Sequence, residues 1–566
     1  MMLRQPTLRT ARQRIDAWTA QAAGAAPTRI SVSTALPRRT NSSATARLPP
    51  RPPRNAGSPP TVKQVGAVRK VADETEATST AQAQEGADKA APDTTAATAG
   101  GELLDVLKDT IKTHGPMPVS RYMTLCLQHP TLGYYTTRTV FGKEGDFITS
   151  PEISQVFGEL LAIWYVTQWL AQGAPRKVRV VEVGPGRGTL LADILRTFRA
   201  LPEHSRPPVT SIHLVEASRQ LRGVQKLKLA TTGFAETRTE WYGDIKEVPV
   251  SDDEFTIFVA HEFFDALPIH VFENTQNGWR EVLVDVADPK TIAPTKSSPD
   301  HPALRLVLAP TPTPASALYS SLAHAIYPTV AHQQSPDLAS AAPAPRRREA
   351  LLDVDTTLGA TSSSAPTVTA EENASLGATS LIAQRFARLP IGSRLEVSPS
   401  GWEIARDLAR LVGPGSQADA GPGTAAGPGG AGLVIDYGDA KAFGRSWRGF
   451  RKHQVVDPLT EPGHTDLTAN VDFAYLAEAM SDSAETPGPI SQGRFLTALG
   501  LQPRLAALLR SAPTEERRKE IESAAKRLVD KTGMGEQYKI MGVVPKGSGE
   551  SQKAGSGGGV FPFNLE

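Results

Sequence analysis

Apolar residues in this chain recur with two different periods. Val178, Val180, Val181 and Val183 form a short β-branched run, long enough for a buried strand and too short for a helix. Runs at Ser211–Val215, Phe255–Val259, Trp279–Val286, Leu304–Leu308, Arg394–Val397 and Leu433–Tyr437 predict further strands, with Trp279–Val286 pairing with Leu304–Leu308. Helical spacing appears at Leu103, Leu104, Val106, Leu107 and Ile111 and stops at Gly115-Pro116. A second helix is expected from Pro118 to about Gln128. A third, long helix is expected from Ser150 to near Gly173, with Ser150 as N-cap and Pro151 in its first turn. Ile153, Phe157, Leu160, Leu161 and Trp164 make its apolar face, and Trp402–Leu411 is amphipathic.

Between these elements the pattern is lost, and composition explains why. The 566 residues include 47 Gly and 46 Pro with only 6% aromatics, so much of the chain has little from which to build a core. Before about residue 70, arginines recur from Arg4 to Arg54 while Asp16 is the only acid. That is the composition of a mitochondrial transit peptide, the alternative being a basic tail that touches nucleic acid or an anionic membrane. Residues 71–100 read as a disordered linker, 101–173 as an N-terminal helical cap, and 174–545 as the main domain. Within the main domain, Asp288–Pro302, about 311–371 and 413–432 read as disordered insertions, the second being far too long for a structured loop. Residues 546–566, with their G-S-G-G-G run, read as a flexible tail.

Candidate chemistry begins where the valine run meets glycines. After Glu182, the stretch from Val183 reads V-G-P-G-R-G-T-L-L, which places Gly184, Gly186 and Gly188 in a turn that opens a helix. Glycines let the backbone take positive φ and let a ligand lie against the main chain, beside the unpaired N–H groups of the helix start. The G-x-G-x-G spacing differs from the G-x-G-x-x-G of dinucleotide sites and from the Walker loop, and no lysine follows to hold a phosphate. An acid two residues before the first glycine suits a ligand carrying an ammonium group. The turn resembles motif I of class I S-adenosylmethionine-dependent methyltransferases. Glu216, at the end of the next strand, is placed to accept hydrogen bonds from ribose hydroxyls, and Asp244 lies where such folds often contact the adenine amino group.

A closer resemblance is carried by several blocks. G-x-E-G-D-F-I-T-S-P-E-I-S-Q-V-F-G ends at Gly158, and A-H-E-F-F-D-A-L-P spans Ala260–Pro268. G-H-T-D-L-T-A-N-V-D-F spans Gly463–Phe473, and Met534-Gly535-Glu536 follows. With the glycine turn, these resemble the mitochondrial complex I assembly methyltransferase family over about Gly101–Gly542. The resemblance implies a Rossmann-like, seven-stranded, mostly parallel sheet with S-adenosyl-L-methionine across Gly184–Gly188 and Glu182 near its amino-acid end. It also implies symmetric dimethylation of an arginine in a complex I subunit, in the matrix.

The block at Ala260–Pro268 follows a strand expected to be the fourth of the sheet, whose carboxyl end is where open α/β sheets present catalytic groups. Glu262, Asp265 and His261 sit there, and carboxylates can hold a planar guanidinium and aim one nitrogen at a methyl donor. Phe263 and Phe264 are core aromatics or a stacking surface. Asp436, Tyr437, His453, Asp466 and Asp472 are weaker candidates for the substrate side. Cys126 is the only cysteine, so no disulfide or thiolate metal cluster forms within the chain, and no H-x-x-x-H pair indicates a metal site. No apolar run is long enough to span a bilayer, and no basic stripe with interleaved aromatics points to nucleic acid. Competing readings are a cofactor-binding assembly chaperone with little turnover and, against the glycine spacing, a dehydrogenase.

Overall fold

In the computed structural model, residues 94–137, 149–288, 303–326, 381–413, 428–452, 454–546 and 559–565 are described. The expected transit peptide lies outside them, as does most of the expected linker. Helix α1 (Thr94–His114) starts before Gly101, so the end of that linker is helical. The alanines of this stretch extend a helix already nucleated by the apolar spacing behind them. Strand β1 (Met117–Pro118), α2 (Val119–Gln128) and the short α3 (Tyr134–Thr137) follow.

The long helix expected from Ser150 is two helices, α4 (Ser150–Ile153) and α5 (Gln155–Ala171). Ser154 interrupts them in an extended conformation, φ −159°, and its side chain caps α5 by accepting from the Val156 N–H. Ser150 is instead fully buried and donates its hydroxyl to Gln492 Oε1 at 3.3 Å. A hydroxyl so enclosed is spent on a tertiary contact, and the cap falls to the next serine.

Five strands then build the parallel part of the main sheet. They are β2 (Val178–Val183), β3 (Val209–Val215), β4 (Arg238–Tyr242) and β5 (Phe255–His261), with β10 (Gly430–Asp439) joining later. Helices α6 (Thr189–Ala200) and α7 (Arg219–Ala230) connect the first three. Residues facing alternate sides of a strand enter different cores. Val178 and Val180 pack with Phe157, Leu161 and Trp164 of α5, whereas Val181 and Val183 pack with Ala405 and Leu408 from the opposite side.

A second, antiparallel sheet intervenes before β10; three of its strands were expected from the sequence, though not as a sheet of their own. It comprises β6 (His270–Thr275), β7 (Gly278–Val286), β8 (Leu304–Leu308) and β9 (Arg394–Val397), with β1 at its edge and β8 paired to β7 as expected. Leu103, Leu107, Met123 and Leu127 of the N-terminal helices pack on its Val282 and Val284. The region expected to be a helical cap is therefore divided, α1 and α2 lying on this sheet and α5 on the main one.

The expected insertions also contain order. Helix α8 (Pro314–Ile326) lies inside 311–371, where Tyr319 stacks on Phe386 of α9 (Leu381–Arg388), ring centroids 5.8 Å apart. Residues 327–371, like 289–302, are outside the described residues. After α10 (Pro399–Val412), β10 starts at Gly430, within the stretch expected to be a linker up to Gly432. A Cβ on Gly432 would lie 2.0 Å from the Phe258 ring, so this glycine is a packing residue of the strand.

The remaining elements are β11 (Arg448–Arg451), β12 (Gln454–Val456), β13 (Asp466–Thr468), β14 (Val471–Asp472), α11 (Phe473–Met480), β15 (Ala484–Glu485) and β16 (Ile490–Ser491). Then come α12 (Gln492–Ala498), α13 (Leu501–Ser511), α14 (Glu515–Val529), α15 (Met534–Gln537) and β17 (Tyr538–Pro545). The main sheet runs β15-β17-β10-β5-β2-β3-β4, seven strands along its path as expected, with β14 and β16 as short additions. β17 is antiparallel to β10. The segment 559–565 docks: Val560 is buried, the Phe561 carbonyl accepts from Trp164 Nε1 at 2.9 Å, and the Phe563 ring meets Phe495. The expectation of a wholly flexible tail does not hold there, because its aromatic residues bury against the core.

Candidate functional site

The carboxyl ends of β2, β3 and β5 meet around the glycine turn. Gly184, Gly186 and Gly188 all have positive φ, 62°, 50° and 74°, and Gly188 caps α6. The Gly184 N–H donates to the Val215 carbonyl at 3.0 Å, which fastens the turn beside Glu216. One oxygen of Glu216 accepts from the Ser218 N–H at 2.8 Å and the other from Gln225 Nε2 at 3.2 Å. Gln225, fully buried, also donates to the Gly186 carbonyl at 2.8 Å and accepts from Trp241 Nε1. It ties the glycine turn, Glu216 and β4 together. Nothing in the sequence singles it out, since a glutamine on a surface helix carries no signature.

Glu182 lies beneath the turn, only 3% exposed, with Oε2 lacking any hydrogen-bond partner. Burial, with the nearby Glu216 charge, holds its carboxyl well above the usual range. A buried acid with a vacant oxygen beside a glycine cradle fits a ligand that brings a cationic group. Asp244 is exposed and caps the following turn by accepting from the Lys246 N–H at 3.0 Å.

The second half of the site is the loop after β5. Glu262 adopts φ +48°, a left-handed conformation costly for any residue with a Cβ, and such strain persists only where the surroundings impose it. Here Asp436 imposes it. Its Oδ2 accepts from three successive backbone N–H groups, Phe263 at 3.1 Å, Phe264 at 3.0 Å and Asp265 at 3.3 Å, while Oδ1 accepts from Tyr437 N–H. Asp436 therefore shapes the loop rather than meeting substrate. The Phe263 ring crosses to the glycine turn, its Cδ2 2.8 Å from where a Cβ on Gly184 would lie, so cofactor loop and acceptor loop touch. Phe264 is buried core.

Glu262 is enclosed, and its Oε1 has no hydrogen-bond partner. Desolvation and the Asp265 charge push its pKa up to about 8, against the Tyr538 hydroxyl and the Ser150 N–H, which favour the charged form. His261 Nε2 stands 3.4 Å from Glu262 Oε1 and is likewise unpartnered. Burial against Phe157 drives the imidazole down to about 3, so His261 is neutral. Burial raises the carboxyl of Asp265, while Tyr437 and the Arg448 guanidinium favour its charged form. Arg448 stacks over the Tyr437 and Phe450 rings and donates to Asn470 Oδ1. Asp265 thus has an internal cation, and Glu262 has none.

The weaker candidates separate cleanly. Asp466 is buried and accepts from the Tyr135 hydroxyl at 2.9 Å, which brings the N-terminal aromatic stretch to the site. Asp472 caps α11 and pairs with Arg385, a structural role away from the loop. His453 lies outside the described residues. Tyr538 and Ser150, which favour the charged form of Glu262, were not foreseen as site residues. Among the described residues no cluster of side chains has metal-ligand geometry, and no helix is long and apolar enough to cross a membrane.

Glycine turn, strand-end acid and acceptor loop on a sheet of this order define a class I methyltransferase. In agreement, the model of an S-adenosyl-L-methionine-dependent methyltransferase family matches residues 160–490. The mitochondrial protein arginine methyltransferase NDUFAF7 of Rattus norvegicus is 33% identical over 460 residues, covering 78% of this chain and 84% of that protein. The Homo sapiens protein of the same name is 32% identical, covering 78% and 83%, and the Drosophila melanogaster homolog is 31% identical, covering 79% and 85%. A COG1565 superfamily member from Burkholderia thailandensis, solved bound to S-adenosyl-homocysteine, shares the fold with a TM-score of 0.55 at 24% identity, covering 80% and 95%. The chain belongs to the NDUFAF7 family of protein arginine methyltransferases, and S-adenosyl-L-methionine is its cofactor.

Proposed function

We propose that this chain methylates an arginine of a respiratory complex I subunit in the mitochondrial matrix, to the symmetric dimethyl form, as a step of complex assembly. The family is named mitochondrial and acts on protein arginine. The complex I subunit and the matrix come from the resemblance of the sequence blocks. The observation that carries the acceptor assignment is Glu262, a strained, enclosed carboxyl with one vacant oxygen and no cation beside it. A guanidinium is the group that fills such a place, because it supplies both charge and donors.

Glu182, the Gly184–Gly188 turn, Glu216 and Asp244 would hold the cofactor. When bound, S-adenosyl-L-methionine supplies a methyl group activated by its sulfonium. The chain's own work is then alignment and proton handling. Glu262, ionised by the arriving guanidinium, accepts one N–H through Oε1 and orients the acceptor nitrogen. Methylation of a guanidinium releases one proton, and a carboxyl poised near neutrality is suited to receive it at the same oxygen. Phe263 and Phe264 screen the site from water on the cofactor side. Asp265, held by Tyr437 and Arg448, steadies the loop and adds negative potential.

The test uses the full chain with tritiated S-adenosyl-L-methionine and isolated complex I assembly intermediates. Label on arginine of one subunit, absent with Glu262→Gln, is the expected result. Cofactor binding with no label on any subunit would sink the proposal in favour of a non-catalytic assembly chaperone.

A further inference from the structure

Two polar atoms at the end of β5 stand side by side without partners. His261 Nε2 lies 3.4 Å from Glu262 Oε1, yet no hydrogen bond joins them and neither atom bonds to anything else. Their side chains are only 8% and 11% exposed, so bulk water does not serve them. Unpaired buried polar groups are unfavourable, and two of them at one spot point to a ligand that pairs both.

The fold fixes where these atoms sit. His261 is the last residue of β5 and the register partner of Ile435 in β10. Its ring packs on the fully buried Phe157 of α5, with centroids 5.2 Å apart and the planes tilted by 59°. Glu262 follows at φ +48°, its N–H donating to the Ile435 carbonyl at 2.9 Å. The next residue, Phe263, is the one whose ring reaches Gly184 of the glycine turn.

We propose that His261 is a second substrate-binding residue, its Nε2 accepting an N–H from one guanidinium nitrogen while Glu262 Oε1 accepts from a neighbouring one. This deepens the arginine methyltransferase reading and rests on it. A guanidinium presents its N–H donors in a rigid planar fork, so two adjacent acceptors can each take one. A single hydrogen bond lets the guanidinium plane turn about that bond. Two hold it still, which transfer of a methyl group to one chosen nitrogen requires. A neutral imidazole suits the task, because it has an acceptor nitrogen and sets no positive charge against the substrate cation. Burial keeps His261 in that form, and the released proton falls to Glu262.

His261→Phe keeps a ring against Phe157 and removes the acceptor, whereas His261→Gln offers an amide oxygen in place of Nε2. With complex I assembly intermediates as substrate, the KM of His261→Phe should rise about tenfold, the loss of one hydrogen bond to a charged group. His261→Gln should recover part of that loss, and affinity for S-adenosyl-homocysteine should be unchanged in both. An unaltered KM in His261→Phe, or a higher KM accompanied by weaker S-adenosyl-homocysteine binding, overturns the proposal. A second readout needs no turnover. The full chain carrying nitrogen-labelled histidine, saturated with S-adenosyl-homocysteine, is titrated with ethylguanidinium, and the His261 signals are identified by their loss in His261→Gln. Nε2 should be the unprotonated nitrogen and should move upfield as it accepts the N–H. A protonated Nε2, or a signal that does not move, overturns the proposal. Absence of arginine labelling by the unaltered chain would instead defeat the functional reading, while the titration still decides whether His261 binds a guanidinium.

Discussion

The ring of Phe263 rests on Gly184, with Cδ2 2.8 Å from the position a Cβ would take. The loop that carries Glu262 is thereby seated on the glycine turn proposed to hold the cofactor, and a change in either reaches the other. Gly184→Ala meets two obstacles, the Phe263 ring and a φ of 62°. The backbone term alone is about 1–2 kcal/mol. We expect cofactor affinity at least tenfold weaker by calorimetry and methylation reduced further, since Phe263 must move.

Asp436→Asn exchanges the carboxyl that gathers the Phe263, Phe264, Asp265 and Tyr437 N–H groups for an amide whose nitrogen cannot accept. Each hydrogen bond lost from a buried N–H costs roughly 1–3 kcal/mol. The variant should unfold at lower temperature, with methylation falling more than cofactor binding because the acceptor loop loosens first. Equal thermal stability to the unaltered chain would refute the role given to Asp436.

Stability against pH carries the signature of Glu262. Its folded pKa, about 8, is raised above the ordinary 4.5, so between those values the folded state keeps a proton that the unfolded state has lost. This contribution is complete below pH 4.5 and is lost as pH rises through 8. Glu262→Gln cannot ionise, so its stability relative to the unaltered chain should rise with pH across that window. Denaturant titrations at pH 5 and pH 8.5 check the sign. His261, held down to about 3, should stay neutral throughout this range, as nitrogen chemical shifts would register.

Removal of residues 559–566 uncovers the pocket that takes Val560, Phe561 and Phe563 and leaves Trp164 Nε1 without the Phe561 carbonyl. Burial of one valine and two partly buried rings is worth roughly 3–5 kcal/mol. Thermal melting should show a clear drop, although the segment lies far along the chain from Trp164.

The chain's local chemistry was readable without a structure. The valine run, the three glycines and the strand-end Glu216 declare a cofactor turn because they act within a few bonds of one another, through φ, strand period and helix start. The Ala260–Pro268 block pointed to the loop after β5 for the same reason. What stayed hidden depends on contacts between distant segments. Gly432 looked like linker until Phe258 required its missing Cβ, and Ser150 looked like a cap until Gln492 took its hydroxyl. Gln225 and Asp436 join the site through hydrogen bonds to Gly186 and Phe264, partners that no periodicity relates to them. Sequence determined the turn, the acids and the class of ligand. Tertiary structure decided which acid is left with a vacant oxygen, because burial and partner choice exist only once the strands are paired.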